Sequence, residues 1–137
     1  MGEDILDLLL ERARSAAFSD DAHRRGWDAV RLAALLRKEG RFDDALGLLD
    51  DVVARFGALP DVEAAAYASA VAIHCDAGRP ATGVRIGRPI WERSRSAELG
   101  TALARAYWEL AEETGDPSDR DAWASFGRAF DAAQSAA

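Results

Sequence analysis

The chain has 137 residues, 49% of them hydrophobic, and a formal net charge of −7. That length suffices for one domain with a buried core, and the negative charge argues against nonspecific nucleic-acid binding, which needs a surplus of cations. A single cysteine, Cys75, excludes an intramolecular disulfide, and no apolar run approaches membrane-spanning length.

Alanine dominates the hydrophobic fraction and β-branched residues are few. Because alanine costs least to place in a helix, the composition leans towards α structure before any pattern is read. The start Met1-Gly2-Glu3-Asp4-Ile5 lacks the basic stretch and apolar run of a secretory signal. A cytoplasmic protein is therefore expected.

A leading helix is expected over about residues 3–17, with Ile5, Leu8 and Leu9 on one face. Ser19, Asp20 or Asp21 is placed to cap the next helix. That helix runs from about Ala22 to Glu39 and carries Trp27, Val30, Leu32, Ala33, Leu35 and Leu36, and Gly40 stops it. A partner helix starts near Phe42, carries Ala45, Leu48, Leu49, Val52 and Val53 at helical spacing, and fades at Phe56-Gly57-Ala58-Leu59-Pro60.

The cycle then repeats. Asp61 is expected to cap a helix carrying Val62, Ala65, Tyr67, Ala68, Val71, Ala72 and Cys75, which ends at Gly78. Pro80 suits the first turn of the following helix. In that helix Gly83, Gly87 and Pro89 lower the propensity, Pro89 is expected to kink or shorten it, and Gly83 with Gly87 suggests close helix packing. Past Ser96 lies a long helix with Leu99, Leu103, Ala106, Tyr107, Leu110 and Ala111, then Gly115-Asp116-Pro117, then a last helix with Trp123, Phe126, Ala129 and Phe130.

Gly40, Gly78 and Gly115 thus recur at intervals of 38 and 37 residues, each followed by a helix start. That period marks stacked helical hairpins. One all-α domain over 1–137 is expected: about seven helices, with hairpins over about 22–57, 61–96 and 97–136. No alternating apolar run argues for strands.

The stretch Glu39-Gly40-Arg41-Phe42-Asp43-Asp44-Ala45-Leu46 resembles the turn of a tetratricopeptide repeat: glycine, a variable residue, an aromatic, then alanine three residues later. Ala33 and Ala45 take the small positions that face each other across such a helix pair. The second hairpin keeps Gly78 but has Pro80 and Gly83 where an aromatic and an alanine are usual. The third has Trp108 where a small residue is usual. The resemblance covers roughly residues 22–134, and only its first repeat carries the specific motif.

The resemblance implies a right-handed α-solenoid of antiparallel hairpins that binds a peptide or partner helix in a concave groove lined by the first helix of each pair. Carried over by position, the groove residues are Trp27, Val30, Ala34 and Arg37, then Ala68, Ala72 and Cys75, then Arg105, Glu109 and Glu112. Val30 and Ala34 stand where the carboxylate-gripping members of the family place polar side chains, so an apolar or helical ligand is the better match. The same alanines serve equally as helix formers packed against a neighbour.

Trp91, Trp108 and Trp123 sit among apolar neighbours and are expected in the core. Trp27, following Gly26 at a helix start, is the groove candidate among the four tryptophans. His74 and Cys75 are adjacent and point in different directions on a helix, and no Cys-x-x-Cys or His-Glu-x-x-His spacing exists. Neither a metal nor a cofactor is expected, and no Ser-His-Asp order suggests a triad, so an enzyme is not expected.

Glu109, Glu112, Glu113, Asp116, Asp119 and Asp121 form an acidic zone, against a basic one at Arg79, Arg85, Arg88, Arg93 and Arg95. Each reads as a solvated face or as a site for an oppositely charged partner. The leading functional expectation is a protein-interaction scaffold with a protein or peptide partner, no nucleic acid and no membrane. The alternatives are a self-associating structural module, the two charge zones permitting head-to-tail contact, and a regulatory or sensor domain.

Overall fold

A computed structural model of the chain describes residues 5–9 and 21–136. The described residues are all-α. They comprise α1 (residues 5–9), α2 (Ala22–Lys38), α3 (Phe42–Phe56), α4 (Pro60–Asp76), α5 (Pro80–Ser94), α6 (Ala97–Thr114) and α7 (Pro117–Ser135), with no strand among them. The rest of the expected leading helix, and Phe18 to Asp20, lie outside the described residues. The chain divides into two compact units, Met1–Ala66 and Tyr67–Ala137, the division falling inside α4.

The helix boundaries follow from local chemistry. Asp21 starts α2, its carboxylate accepting the Arg24 N–H at 3.0 Å and filling one of the donors a helix start leaves open. At the far end Gly40 takes φ 75°, a left-handed conformation that glycine adopts without a Cβ penalty. Its N–H reaches the Arg37 carbonyl at 2.9 Å and the Arg41 N–H reaches Leu36 at 2.8 Å. The α4 terminus repeats this paired closure: the N–H groups of Gly78 and Arg79 reach the carbonyls of Cys75 and His74 at 3.0 and 2.7 Å. Gly115 closes α6 more simply, through one bond to Ala111 at 2.9 Å.

Two local expectations need correction. Helix α4 begins at Pro60, so Asp61 lies in its first turn rather than capping it. Helix α5 is not shortened by Pro89: it runs from Pro80 to Ser94 with the proline inside it. Pro89 and Arg85, whose carbonyl loses its helical donor, are both exposed, so water can serve the carbonyl.

In the first unit α2 packs on α3. Ala33 and Ala45 are both wholly buried, as are Leu36, Leu48 and Val52 to within 1%. Each buried leucine stabilises the unit by roughly 1.5–3 kcal/mol. Gly26 lets α4 approach: a Cβ there would stand 2.7 Å from Cγ1 of Val62. Asp7 of α1 is tied to Arg41, at the start of α3, by an ion pair of 2.6 Å.

In the second unit α6 packs on both α5 and α7. Val71, Trp91, Leu99, Leu103, Ala106 and Phe126 form the centre of its core. Gly87 of α5 faces Val71 of α4 and Leu103 of α6 so closely that a Cβ would lie 2.6 and 2.9 Å from their methyl groups. Gly83 and Gly87 are thus the close-packing positions their spacing suggests. The Trp91 and Phe126 rings meet edge to face at 4.8 Å, and Tyr107 stacks on Phe126 at 5.0 Å. Such contacts add about 0.5–1.5 kcal/mol beyond area burial.

Candidate partner-binding face

The first helices of successive hairpins carry the expected binding residues, and side-chain bonds connect such helices within each unit. In the first unit Asp61 of α4 receives two groups from α2. The His23 Nε2 lies 2.6 Å from its Oδ2, and the Trp27 indole N–H donates to the same oxygen at 3.4 Å. Burial alone would raise the Asp61 carboxyl; the Val62 N–H, the His23 charge and the Trp27 N–H outweigh it and hold the group below its ordinary value. All three residues lie near the starts of their helices, so the first turns of α2 and α4 meet.

In the second unit Arg105 of α6 reaches across to Asp76, the last residue of α4, at 2.8 Å. Its Nε also lies 3.3 Å from Glu109 one turn on. Burial works against the Arg105 charge, yet its hydrogen bond to Asp76 and the charge of Glu109 raise its pKa above the ordinary value. The Cys75 thiol is pushed up to about 12, first by burial and then by donating its hydrogen to the Glu109 carboxylate. It stays protonated at neutral pH and is no nucleophile. With the one guanidinium of Arg105 shared between the carboxylates of Asp76 and Glu109, the cluster is a hydrogen-bonded polar surface that keeps an excess of negative charge.

Of the ten expected groove residues, Ala34, Arg105 and Glu112 are exposed, and Trp27, Arg37, Ala72 and Glu109 are half-buried. Val30, Ala68 and Cys75 are buried. Ala68 and Cys75 belong to the core of the second unit. The structure brings Cys75, Arg105 and Glu109 into one cluster. Trp27, Val30, Ala34 and Arg37 share α2, and none of them belongs to that cluster.

The tryptophans divide. Trp91 is wholly buried, as expected, but Trp108 and Trp123 are 45% and 36% exposed, against the expectation of core placement. The buried face of α6 is Leu99, Gly100, Leu103, Ala106, Tyr107 and Ala111. Trp108 follows Tyr107 directly, and one residue is about 100° of helical rotation, which turns it off that face. The signal was present in the sequence: a large indole stands where the repeat pattern wants a small residue.

Asp61 and Asp76 are partners of expected groove residues that sequence spacing does not reveal. Trp27 and Asp61 are separated by 34 residues, a distance that no helical spacing links. His74 accepts the Arg79 Nε–H on Nδ1 at 3.2 Å, which makes it a structural acceptor at the helix end. Among the described residues, no three His, Cys, Asp or Glu side chains gather as a metal would require. No described helix is long and apolar enough to cross a membrane.

Comparison of the chain with protein families, with curated proteins and with solved structures finds no match.

Proposed function

We propose that the chain is a protein-binding module of the tetratricopeptide-like kind, taking a peptide or partner helix on the first helices of its hairpins. The observation that carries the reading is the Arg105–Asp76 bond. It joins the first helices of two successive hairpins within the second unit, the arrangement a groove lined by such helices requires. The Schellman-type closures at Gly40 and Gly78 repeat in the same place in two successive hairpins, which supports a common repeat unit. Half-buried Ala72 stands one helical turn before Asp76, the residue Arg105 reaches, and would offer a ligand a small apolar step on the same helix. An apolar or amphipathic helix fits such a lining.

The test is partner capture with the native chain, followed by binding measurements with Ala72→Arg and Arg37→Glu. Each variant should retain native helicity and lose at least about tenfold in affinity, the scale of one well-placed interface side chain. Folded variants that bind the captured partner with unchanged affinity would remove the groove assignment. A cytoplasmic setting belongs to the same proposal and is checked by localising a tagged chain.

A second reading, self-association, is favoured by α1. Ile5, Leu8 and Leu9 lie at helical spacing on one face and are 60%, 66% and 38% exposed. Light scattering over a range of concentrations decides it: a monomer throughout rules it out.

A further inference from the structure

The exposed tryptophans meet each other. The Trp108 and Trp123 rings lie 4.9 Å apart, tilted by 59°, one from α6 and one from α7 of the second unit. Two adjoining indoles left in water are costly in hydrophobic terms, and tryptophan is the side chain most enriched where binding energy concentrates. Elsewhere in this unit aromatic faces are covered by guanidinium groups. Arg88 lies over Phe126 at 5.1 Å and over Trp91 at 5.6 Å, and Arg95 lies over Trp91 at 4.6 Å. Among the described residues no cation lies over Trp108 or Trp123.

The charge around the pair has one dominant sign. Between the two tryptophans in sequence stand Glu109, Glu112, Glu113, Asp116, Asp119 and Asp121 against a single cation, Arg120. Glu112 is one turn from Trp108 and Asp119, which accepts the Thr114 hydroxyl, one turn from Trp123; of the cations three residues before each indole, Arg105 is held by Asp76 and Glu109, which leaves Arg120 beside Trp123. Glu112 and Glu113 are exposed and have no ion-pair partner among the described residues. Beyond Trp123, Gly127 leaves open space, with nothing within 4 Å of where a Cβ would stand. A planar cation can therefore approach the indole along α7.

We propose that the Trp108–Trp123 pair, with the carboxylates one turn from each indole, is a docking surface for an arginine-bearing segment of another polypeptide. Arginine fits better than lysine because its planar guanidinium stacks on an indole while its N–H groups reach a carboxylate, and it gives up its water more readily. The surface shares Glu112 with the expected groove, but neither indole takes part in the bond between Arg105 and Asp76, so the tryptophan variants test it independently of the groove reading.

The test titrates labelled hexaarginine and hexalysine peptides against the full chain by fluorescence anisotropy. Hexaarginine should bind saturably and several-fold more tightly than hexalysine. Trp108→Ala and Trp123→Ala should each weaken hexaarginine binding about fivefold, while Trp108→Phe keeps most of the affinity. Glu112→Gln combined with Asp119→Asn should weaken binding of both peptides and flatten its salt dependence. If either alanine variant loses helicity by circular dichroism, the phenylalanine and carboxamide variants decide the matter. Equal affinity for the two peptides, or hexaarginine binding unchanged in folded tryptophan variants, overturns the proposal, since bulk negative charge would then explain the attraction. Absence of saturable binding to hexaarginine overturns it as well.

Discussion

Phe130 of α7 occupies the space above Gly100 of α6 where a Cβ would stand, and the Trp91 indole nitrogen lies 2.9 Å from the same point. The Trp91 and Phe130 rings are nearly parallel, with 3° between their planes and 6.3 Å between their centres. Gly100 is thus what lets two aromatic side chains close over α6. In an open helix, glycine to alanine stabilises by up to about 1 kcal/mol. Here Gly100→Ala should destabilise by about 1–3 kcal/mol, because the packing must move aside. Gly127→Ala is the control: with open space at its Cβ it should stabilise by roughly 0.5–1 kcal/mol. Urea unfolding of the two variants, read by far-UV circular dichroism, should show midpoints moving in opposite directions.

The thiol of Cys75 should be nearly inert in the native protein. With its pKa raised from 9.0 to about 12, the native thiolate fraction near pH 8 is on the order of a thousandfold below that of the unfolded chain. Iodoacetamide should label denatured protein readily and native protein hardly at all. The linkage has a definite sign. The folded state holds this proton more tightly, so the stability contribution is complete below pH 9.0, the ordinary value, and is lost as pH rises towards about 12. Cys75→Ala should lose part of the alkaline sensitivity seen in unfolding midpoints between those limits. An alkaline decline identical to that of the native chain would place its cause elsewhere.

Ser96 caps α6 by accepting the Leu99 N–H on its hydroxyl at 3.2 Å. Ser96→Ala leaves that donor to water and should cost about 1 kcal/mol, whereas Ser96→Asp should be close to neutral. Thermal unfolding of both variants checks the difference.

At the start of α7 the capping group titrates. Asp116 accepts both the N–H and the hydroxyl of Ser118 at 2.9 Å, and these bonds hold its carboxyl below the ordinary value of 3.8. A lowered folded pKa gives stability that is complete above the unfolded value and lost as pH falls through the folded one. The native chain should therefore lose stability below about pH 4 more steeply than Asp116→Asn, which keeps an acceptor but cannot be protonated. Acid titrations of the two chains followed by circular dichroism should diverge in that window and run parallel above it.

Much of the fold was legible because helix punctuation is local chemistry. Gly40, Gly78 and Gly115 mark the three helix ends at which the structure has left-handed glycines. From Ala22 onward the expected helix starts and ends fall within a few residues of those observed. Pro89 does not shorten α5, because a propensity is an average over contexts and an exposed proline is tolerated in a helix held by its neighbours. The tryptophans misled for another reason. Apolar neighbours in sequence do not say which side of the helix an indole takes, and Trp91 and Trp108 differ only in that respect.

The sequence alone determined that the chain is helical, where most of its helices start and stop, and that Gly83 and Gly87 let helices approach. These follow from dihedral preferences, capping and 3.6-residue periodicity, all of which act within a few residues. Only the tertiary structure decided that Asp61 serves Trp27 and His23, that Asp76 serves Arg105, and that Trp108 and Trp123 form an exposed pair. Each of those relations joins residues on different helices, so it depends on how the helices pack and leaves no trace in local spacing.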